Sequence, residues 1–203
     1  NYWGCWVDVM EAIKKRRTIR RFQQKPIPFE ILKELIDAAR LAPSGGNLQP
    51  WEFLVIDDSN LLEHVFSTIA WAAYLGPEGK PKEGEKPVAY IVVLHNKKLK
   101  SFTPASDFGA AIENILLAAT DKGIGSCWIG SVQRENLAKI LDISSDYSIE
   151  YVIALGYPAE KAIAEDEKGS LKYWRDGNSV HHVPKRRLED ILHHNKLGVL
   201  DKN

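Results

Sequence analysis

Six consecutive positions, Arg16-Arg17-Thr18-Ile19-Arg20-Arg21, carry four arginines. A guanidinium is a fixed charge on a planar fork, and it matches the oxygens of phosphate or carboxylate. The chemistry on offer is anion binding. The alternative is a solvated basic face near a helix end, where cations complement the helix dipole. Charge alone favours the solvated face.

Other reactive side chains carry weaker signals. Cys127 has no apparent partner base and reads as a small buried apolar residue. His181-His182 and His193-His194 are adjacent pairs, which do not share a helix face. Without carboxylates at ligand spacing they read as surface histidines and not as a metal site. Gly123-Ile124-Gly125 is not a dinucleotide fingerprint, because Trp128 replaces the third glycine and the motif follows a helix. Glu113 lies on an apolar helix, either as a catalytic acid or, preferably, as a paired carboxylate.

The 203 residues include 27 Lys and Arg against 27 Asp and Glu, so the formal net charge is zero. That balance speaks against a nucleic-acid binder. The length fits one domain, 1–203, with a substantial core. Two cysteines, Cys5 and Cys127, without paired spacing argue against a disulfide framework or zinc site and point to a reducing cytoplasm. No apolar run reaches the roughly 20 residues of a membrane span. The aromatic start, 1–6, lacks signal-peptide character and has no assigned role.

Apolar spacing places the elements around these groups. Asp8 and Glu11 form a capping-box pattern before Val9, Ala12 and Ile13, so the arginines fall at a helix end. Ile31, Leu35, Ile36 and Ala39 mark a second helix, which stops at Pro43-Ser44-Gly45-Gly46-Asn47, a loop by composition. A strand is expected at 52–56, and a helix capped by Asp57-Asp58-Ser59 carries Leu62, Val65, Phe66 and Ile69. Residues 76–87 are rich in Pro, Gly and Lys and read as an exposed, mobile, lid-like loop. A buried strand is expected at 88–94. A largely apolar helix begins with Thr103 as N-cap and Pro104 at the first position, and ends at Lys122-Gly123. A strand and tight turn (125–131), a short helix (133–141) and a strand (149–157) follow. Residues 158–182 read as polar and irregular, and 183–203 as a C-terminal arm with a short element at Leu188, Ile191 and Leu192. Such a tail often packs on another subunit. Alternating helices and strands, taken alone, suggest a parallel doubly wound sheet.

Five blocks in order resemble the nitroreductase family of FMN-dependent oxidoreductases. They are 16–22; Ala42-Pro43-Ser44-Gly45-Gly46-Asn47-Leu48-Gln49-Pro50-Trp51; 107–119; Gly123-Ile124-Gly125-Ser126-Cys127-Trp128-Ile129-Gly130; and Lys185-Arg186-Arg187-Leu188. The resemblance spans about 8–195 and reverses the odds on the arginines. It implies an α+β sandwich with a mainly antiparallel central sheet flanked by helices. It also implies a homodimer that exchanges its C-terminal segment and builds two FMN sites at the interface.

By position, the resemblance gives Arg16, Arg17 and Thr18 to the phosphate and ribityl chain; Thr18 stands where the family usually has serine. Arg20 becomes the cation near the pyrimidine edge of the isoalloxazine, where it would raise the flavin potential. Pro43, Ser44, Asn47 and Gln49 form a loop reaching the flavin, partly from the other subunit. Trp128, Ile129, Gly130 and Ser131 line the ring with backbone N–H groups. Lys185 and Arg187 add to the phosphate site, with Arg187 standing where the family usually has proline. The implied activity is ping-pong: NADH or NADPH reduces tightly bound FMN, and a nitroaromatic, quinone or free flavin reoxidises it. Two other readings remain. One is a reductive dehalogenase or flavin-fragmenting enzyme of the same fold, though no substrate clamp is identifiable in 71–86. The other is a flavin-binding protein with little turnover.

Overall fold

Tyr90, Ile91, Val92 and Val93 are all buried, although successive strand residues face opposite ways. Such a run requires cover on both faces of the sheet. The computed structural model describes residues 8–198, so the aromatic start, Cys5 and the end of the arm lie outside the described residues.

In chain order the elements are α1 (Val9–Lys15), α2 (Phe29–Arg40), β1 (Trp51–Ile56), α3 (Ser59–Ser67), β2 (Ala89–Asn96), α4 (Pro104–Asp121), β3 (Gly125–Ile129), α5 (Arg134–Ile140), β4 (Tyr147–Gly156), β5 (Ala162–Asp166), β6 (Trp174–Arg175) and β7 (His181–Lys185). Short 3-10 turns cover Gly45–Asn47, Ala73–Gly79 and Leu188–Asp190. No helix among the described residues is long and apolar enough to cross a membrane.

The main sheet has the order β1-β2-β4-β3, and every pair in it is antiparallel. This is the α+β arrangement, not the parallel sheet that element alternation alone suggests. One face carries Ala89, Ile91, Val93, Ile153 and Leu155 against Leu32, Leu35 and Ala39 of α2 and Phe108, Ile112 and Ile115 of α4. The other carries Tyr90, Val92, Cys127, Ile129 and Val152 against Val65 and Phe66 of α3, Leu137 of α5, and Ile19 and Phe22. Each fully buried Leu or Ile contributes about 1.5–3 kcal/mol of apolar transfer.

The helix ends show where local patterns were read correctly and where not. The Asp8 carboxylate accepts the Met10 N–H at 3.2 Å, but Glu11 pairs with Lys15 instead of closing a capping box. Thr103 stands at the α4 N-cap without capping it, since its hydroxyl donates to Asp107 Oδ1 at 3.2 Å. At the other end, Gly123 adopts φ +70°. Its N–H donates to the Thr120 carbonyl at 3.1 Å, and the Ile124 N–H donates to the Ala119 carbonyl at 2.8 Å.

Residues 158–182 are irregular only in part. They contain β5 and β6, which with β7 form a second sheet of order β5-β7-β6, with β5 and β7 parallel. Alternation along β7 puts His181 inside, 1% exposed, and turns His182 the other way. His182 has the carboxylate partners that sequence spacing did not reveal: Glu165 at 2.9 Å from Nδ1 and Asp176 at 3.4 Å from Nε2. The 76–87 loop is fastened as well as exposed. Gly79, Pro81 and Pro87 are buried, the Glu85 carbonyl accepts the Phe22 N–H at 2.9 Å, and Lys86 pairs with Glu63 at 2.7 Å.

Candidate functional site

Residues 18–23 lie along the edge strand β3 and past the end of β4. Thr18 pairs in parallel with Ser126, and the Ile19 N–H donates to the Ser126 carbonyl at 2.9 Å. Phe22 bridges Pro158, and the Gln23 N–H donates to the Tyr157 carbonyl at 2.8 Å. Two glycines permit this approach. A Cβ on Gly125 would come within 2.9 Å of Ile19, and one on Gly156 within 2.8 Å of Phe22. The basic block and the 128–131 segment are thereby joined through one strand. Gly130 lies four residues beyond Ser126, about 13 Å of extended chain.

The four arginines go to different partners. Arg16 Nε lies 3.2 Å from Glu113 on α4. Arg17 Nη1 donates to the carbonyls of Ile13 and Arg16, while its Nε is buried without a hydrogen-bond partner. Burial, and then the neighbouring Arg16 charge, hold the Arg17 pKa below its ordinary value. Arg21 sits 3.7 Å from Glu78 and 3.5 Å from Glu85. Part of the charge balance expected from a bound anion is therefore supplied by Glu113, Glu78 and Glu85.

Arg20 points to β7. Its Nη1 is 3.2 Å from His181 Nε2, and its guanidinium carbon is 5.0 Å from the Tyr173 ring centroid. A guanidinium only donates, so His181 Nε2 accepts and the ring proton sits on Nδ1, which has no partner. Burial first, then the Arg20 charge, push His181 down to about 4. Burial pushes the neighbouring Cys127 thiol up to about 11, against the opposing Arg20 charge. The thiol is inert at neutral pH, as the sequence suggested.

Lys15, Arg16 and Arg17 border a cavity of about 190 Å³, closed by Ile19, Thr120, Gly123, Gly125 and Pro158. That is smaller than a site for a whole drug-sized ligand, and its cationic rim suits a small anionic group. A larger depression of about 650 Å³ between α2 and β1, bordered by Phe29, Lys33 and Phe53, holds none of the expected site residues.

Near the end of β3, Trp128 faces α4. Its ring lies 5.2 Å from Tyr151, nearly perpendicular, and a Cβ on Gly109 would touch it at 3.9 Å. Gly109 and Glu113 are one turn apart, so Trp128 and Arg16 meet the same face of α4. Ile129 is buried on the opposite side, while Gly130 and Ser131 are exposed. Arg134 holds this turn. It donates to the carbonyls of Ile149 (2.9 Å) and Glu150 (2.9 Å), at the β4 bulge, and to that of Gly130 (3.1 Å). The Ala70 N–H donates to the Ser131 carbonyl at 3.0 Å.

The Pro43–Gln49 loop is held elsewhere. Asp107, 3% exposed, accepts the Gly45 N–H at 2.9 Å and the Ser101 hydroxyl at 2.9 Å. Ser44 Oγ accepts the Gln49 N–H at 3.0 Å, and Gln49 Nε2 donates to the Asn47 carbonyl at 3.2 Å. Gly46, Asn47 and Gln49 have φ of +60°, +56° and +48°, a strained run for two non-glycines. Asp107 begins α4 and Thr120 ends it, so loop and cavity stand about 20 Å apart along one helix. Lys185 and Arg187 are also outside the cavity. Lys185 is exposed at the end of β7, and Arg187 is paired with Asp190 at 3.0 Å and Glu189 at 3.4 Å.

Sequence reading missed Glu160, whose side chain is 1% exposed. It accepts the Arg20 N–H at 2.5 Å, the Arg21 N–H at 3.2 Å and Arg175 Nη2 at 2.5 Å. A lone acid in a polar stretch gives no signal. Arg134 and Arg175 were missed for the same reason. Asp107 stood in a recognised block without an assigned role.

A family model described as "Nitroreductase family" matches residues 13–157. A provisionally named NADH dehydrogenase/NAD(P)H nitroreductase of Methanothermobacter thermautotrophicus is 33% identical over 166 residues, 79% of this chain and 82% of the relative. An iodotyrosine deiodinase of Thermotoga neapolitana is 29% identical over 163 residues, 73% of this chain and 87% of the relative. The crystal structure of a nitroreductase with bound FMN from Bacteroides fragilis superposes with a TM-score of 0.60 at 26% identity, covering 81% of this chain and 95% of that one.

Proposed function

The chain belongs to the nitroreductase family, and from that premise we propose that it is an FMN-dependent oxidoreductase. It takes reducing equivalents from NADH or NADPH and delivers them in a ping-pong cycle to a nitroaromatic, quinone or free flavin. The observation that carries this reading is the pairing of Thr18 with Ser126, which sets the cationic cavity on the same strand as the 128–131 turn.

The residues present fit the phosphate end of the cofactor. Arg17 borders the cavity and has a buried, unpartnered Nε, and Arg16 and Lys15 share the rim. A phosphate there would take charge-assisted bonds from Arg16 and Arg17, whereas Thr18 does not border the cavity. When bound, FMN supplies the two-electron chemistry that the side chains cannot. Trp128 offers an apolar wall on the α4 side. Gly130 and Ser131 present backbone donors on a turn that Arg134 keeps rigid. Arg20 supplies a fixed positive charge that favours the reduced, anionic cofactor.

The protein works as a homodimer in the cytoplasm, with the 43–49 loop and the C-terminal arm reaching the partner's site. The roughly 20 Å between loop and cavity supports this reading, because one chain does not bring them together. So do the exposed apolar side chains Val9, Met10 and Ile13 on α1. The 76–87 loop, tied to Arg21 through Glu78 and Glu85, gates the acceptor. Similarity to the deiodinase keeps reductive dehalogenation as a second reading.

Steady-state oxidation of NADH and NADPH, with and without an added quinone or nitroaromatic, tests the proposal. Oxidation that accelerates with the acceptor is expected. A flavin-loaded protein that oxidises neither donor would point to a binding protein instead.

A further inference from the structure

Glu160 is the most enclosed carboxylate around the basic block, and the proposed chemistry makes no use of it. It lies in the loop after β4. It reaches two consecutive peptide N–H groups, those of Arg20 and Arg21, and one guanidinium, that of Arg175 on β6. Three donors converge on one buried carboxylate, so its charge is compensated and its position is over-determined. The direction in which a side chain leaves the backbone is set by the peptide that carries it. Holding the Arg20 peptide therefore fixes where the Arg20 side chain starts, and its guanidinium ends beside His181 and Tyr173. Arg175 is fastened in turn, with Nη1 donating to the Glu78 carbonyl at 3.1 Å.

We propose that Glu160 is a positioning residue that fixes where Arg20 carries its charge, using its length to span the Arg20 and Arg21 peptides and Arg175. The inference rests on the reading of Arg20 as the charge that tunes the flavin, but the aiming itself can be read without flavin.

The reporter is His181, which faces Arg20, Glu160, Arg175 and the Tyr173 ring, with His182 next in sequence. Glu160→Asp keeps the charge and shortens the reach, whereas Glu160→Gln keeps the reach and removes the charge. In flavin-free protein the His181 ring is titrated by NMR in wild type, both variants and Arg20→Ala. Positioning predicts that Glu160→Asp raises the His181 midpoint by about one unit or more, as Arg20→Ala does. Glu160→Gln leaves the midpoint at or below the wild-type value. With FMN bound, the midpoint potential of Glu160→Asp moves toward that of Arg20→Ala, and that of Glu160→Gln does not. If Glu160→Asp does not fold, Arg175→Lys loosens the same clamp and should shift His181 in the same direction. A His181 midpoint unchanged in the Asp or Lys variant overturns the proposal. If Arg20→Ala leaves the flavin potential unchanged while His181 responds as described, the flavin role of Arg20 fails and the positioning by Glu160 stands.

Discussion

Trp174 lies flat on His182, with ring centroids 4.1 Å apart and planes 16° from parallel. Carboxylates stand at both nitrogens of the same imidazole, an arrangement that favours the charged ring between β5 and the turn after β6. Its pKa is raised, first through the bond to Glu165. A folded-state pKa above the unfolded one gives stability that is complete below the unfolded value, near 6.5, and is lost as pH rises through the folded value. Melting temperature should fall as pH rises above about 6.5 in wild type, and that pH-dependent step should disappear in His182→Gln. Equal slopes in the two proteins would show that another group sets the pH dependence.

Arg17→Ala removes a guanidinium that already closes α1 and keeps an unpartnered Nε near the cavity. Charge-assisted bonds of this kind are worth roughly 1.5–3 kcal/mol, so FMN affinity should drop roughly 10- to 100-fold. Fluorescence titration of flavin-free protein measures it. Unchanged affinity would place the phosphate elsewhere.

Asp107→Ala strips an acceptor from the Gly45 N–H and from the Ser101 and Thr103 hydroxyls. The donors are only half-buried or exposed, so leaving them unmet costs about 1 kcal/mol, the low end of the range for an unpaired group. The urea midpoint should fall accordingly, and FMN binding should weaken because the 43–49 loop is released. Loss of stability with full FMN affinity would remove the loop from the site.

Gly125→Ala places a methyl 2.9 Å from the Ile19 side chain, between Thr18 and Arg20 in sequence. Overpacking of this kind costs about 1–3 kcal/mol. Both unfolding free energy and FMN affinity should fall. An alanine tolerated without loss in either would mean that the approach of 18–23 to β3 is looser than described.

The main sheet and its helices were legible because burial writes itself into apolar runs. Residues 89–94 read as a covered strand and are one, the α4 stripe matched its buried face, and the α2 stripe matched at Leu35 and Ala39 but left out the buried Leu32. The second sheet was not legible. Its strands are short and polar on both sides, and the parallel pairing of Ala162 with His181 joins residues far apart in sequence. His181 and His182 were misread because adjacency was judged on a helix, whereas a strand sends neighbours to opposite faces. The candidate site was visible as blocks whose spatial junction, Thr18 against Ser126, no local pattern announces. The internal partners of the arginines, above all Glu160, were invisible because a long-range ion pair has no sequence period.

Flavin binding and reduction are read together in the visible absorption spectrum of the purified protein, after addition of FMN if needed, followed anaerobically as NADPH and then NADH are added. Flavin bands that stay with the protein through desalting and bleach with either donor are the predicted result. A protein that retains no added FMN is the contrary result, and residues 16–21 would then be a basic block balanced within the chain by Glu113, Glu78, Glu85 and Glu160.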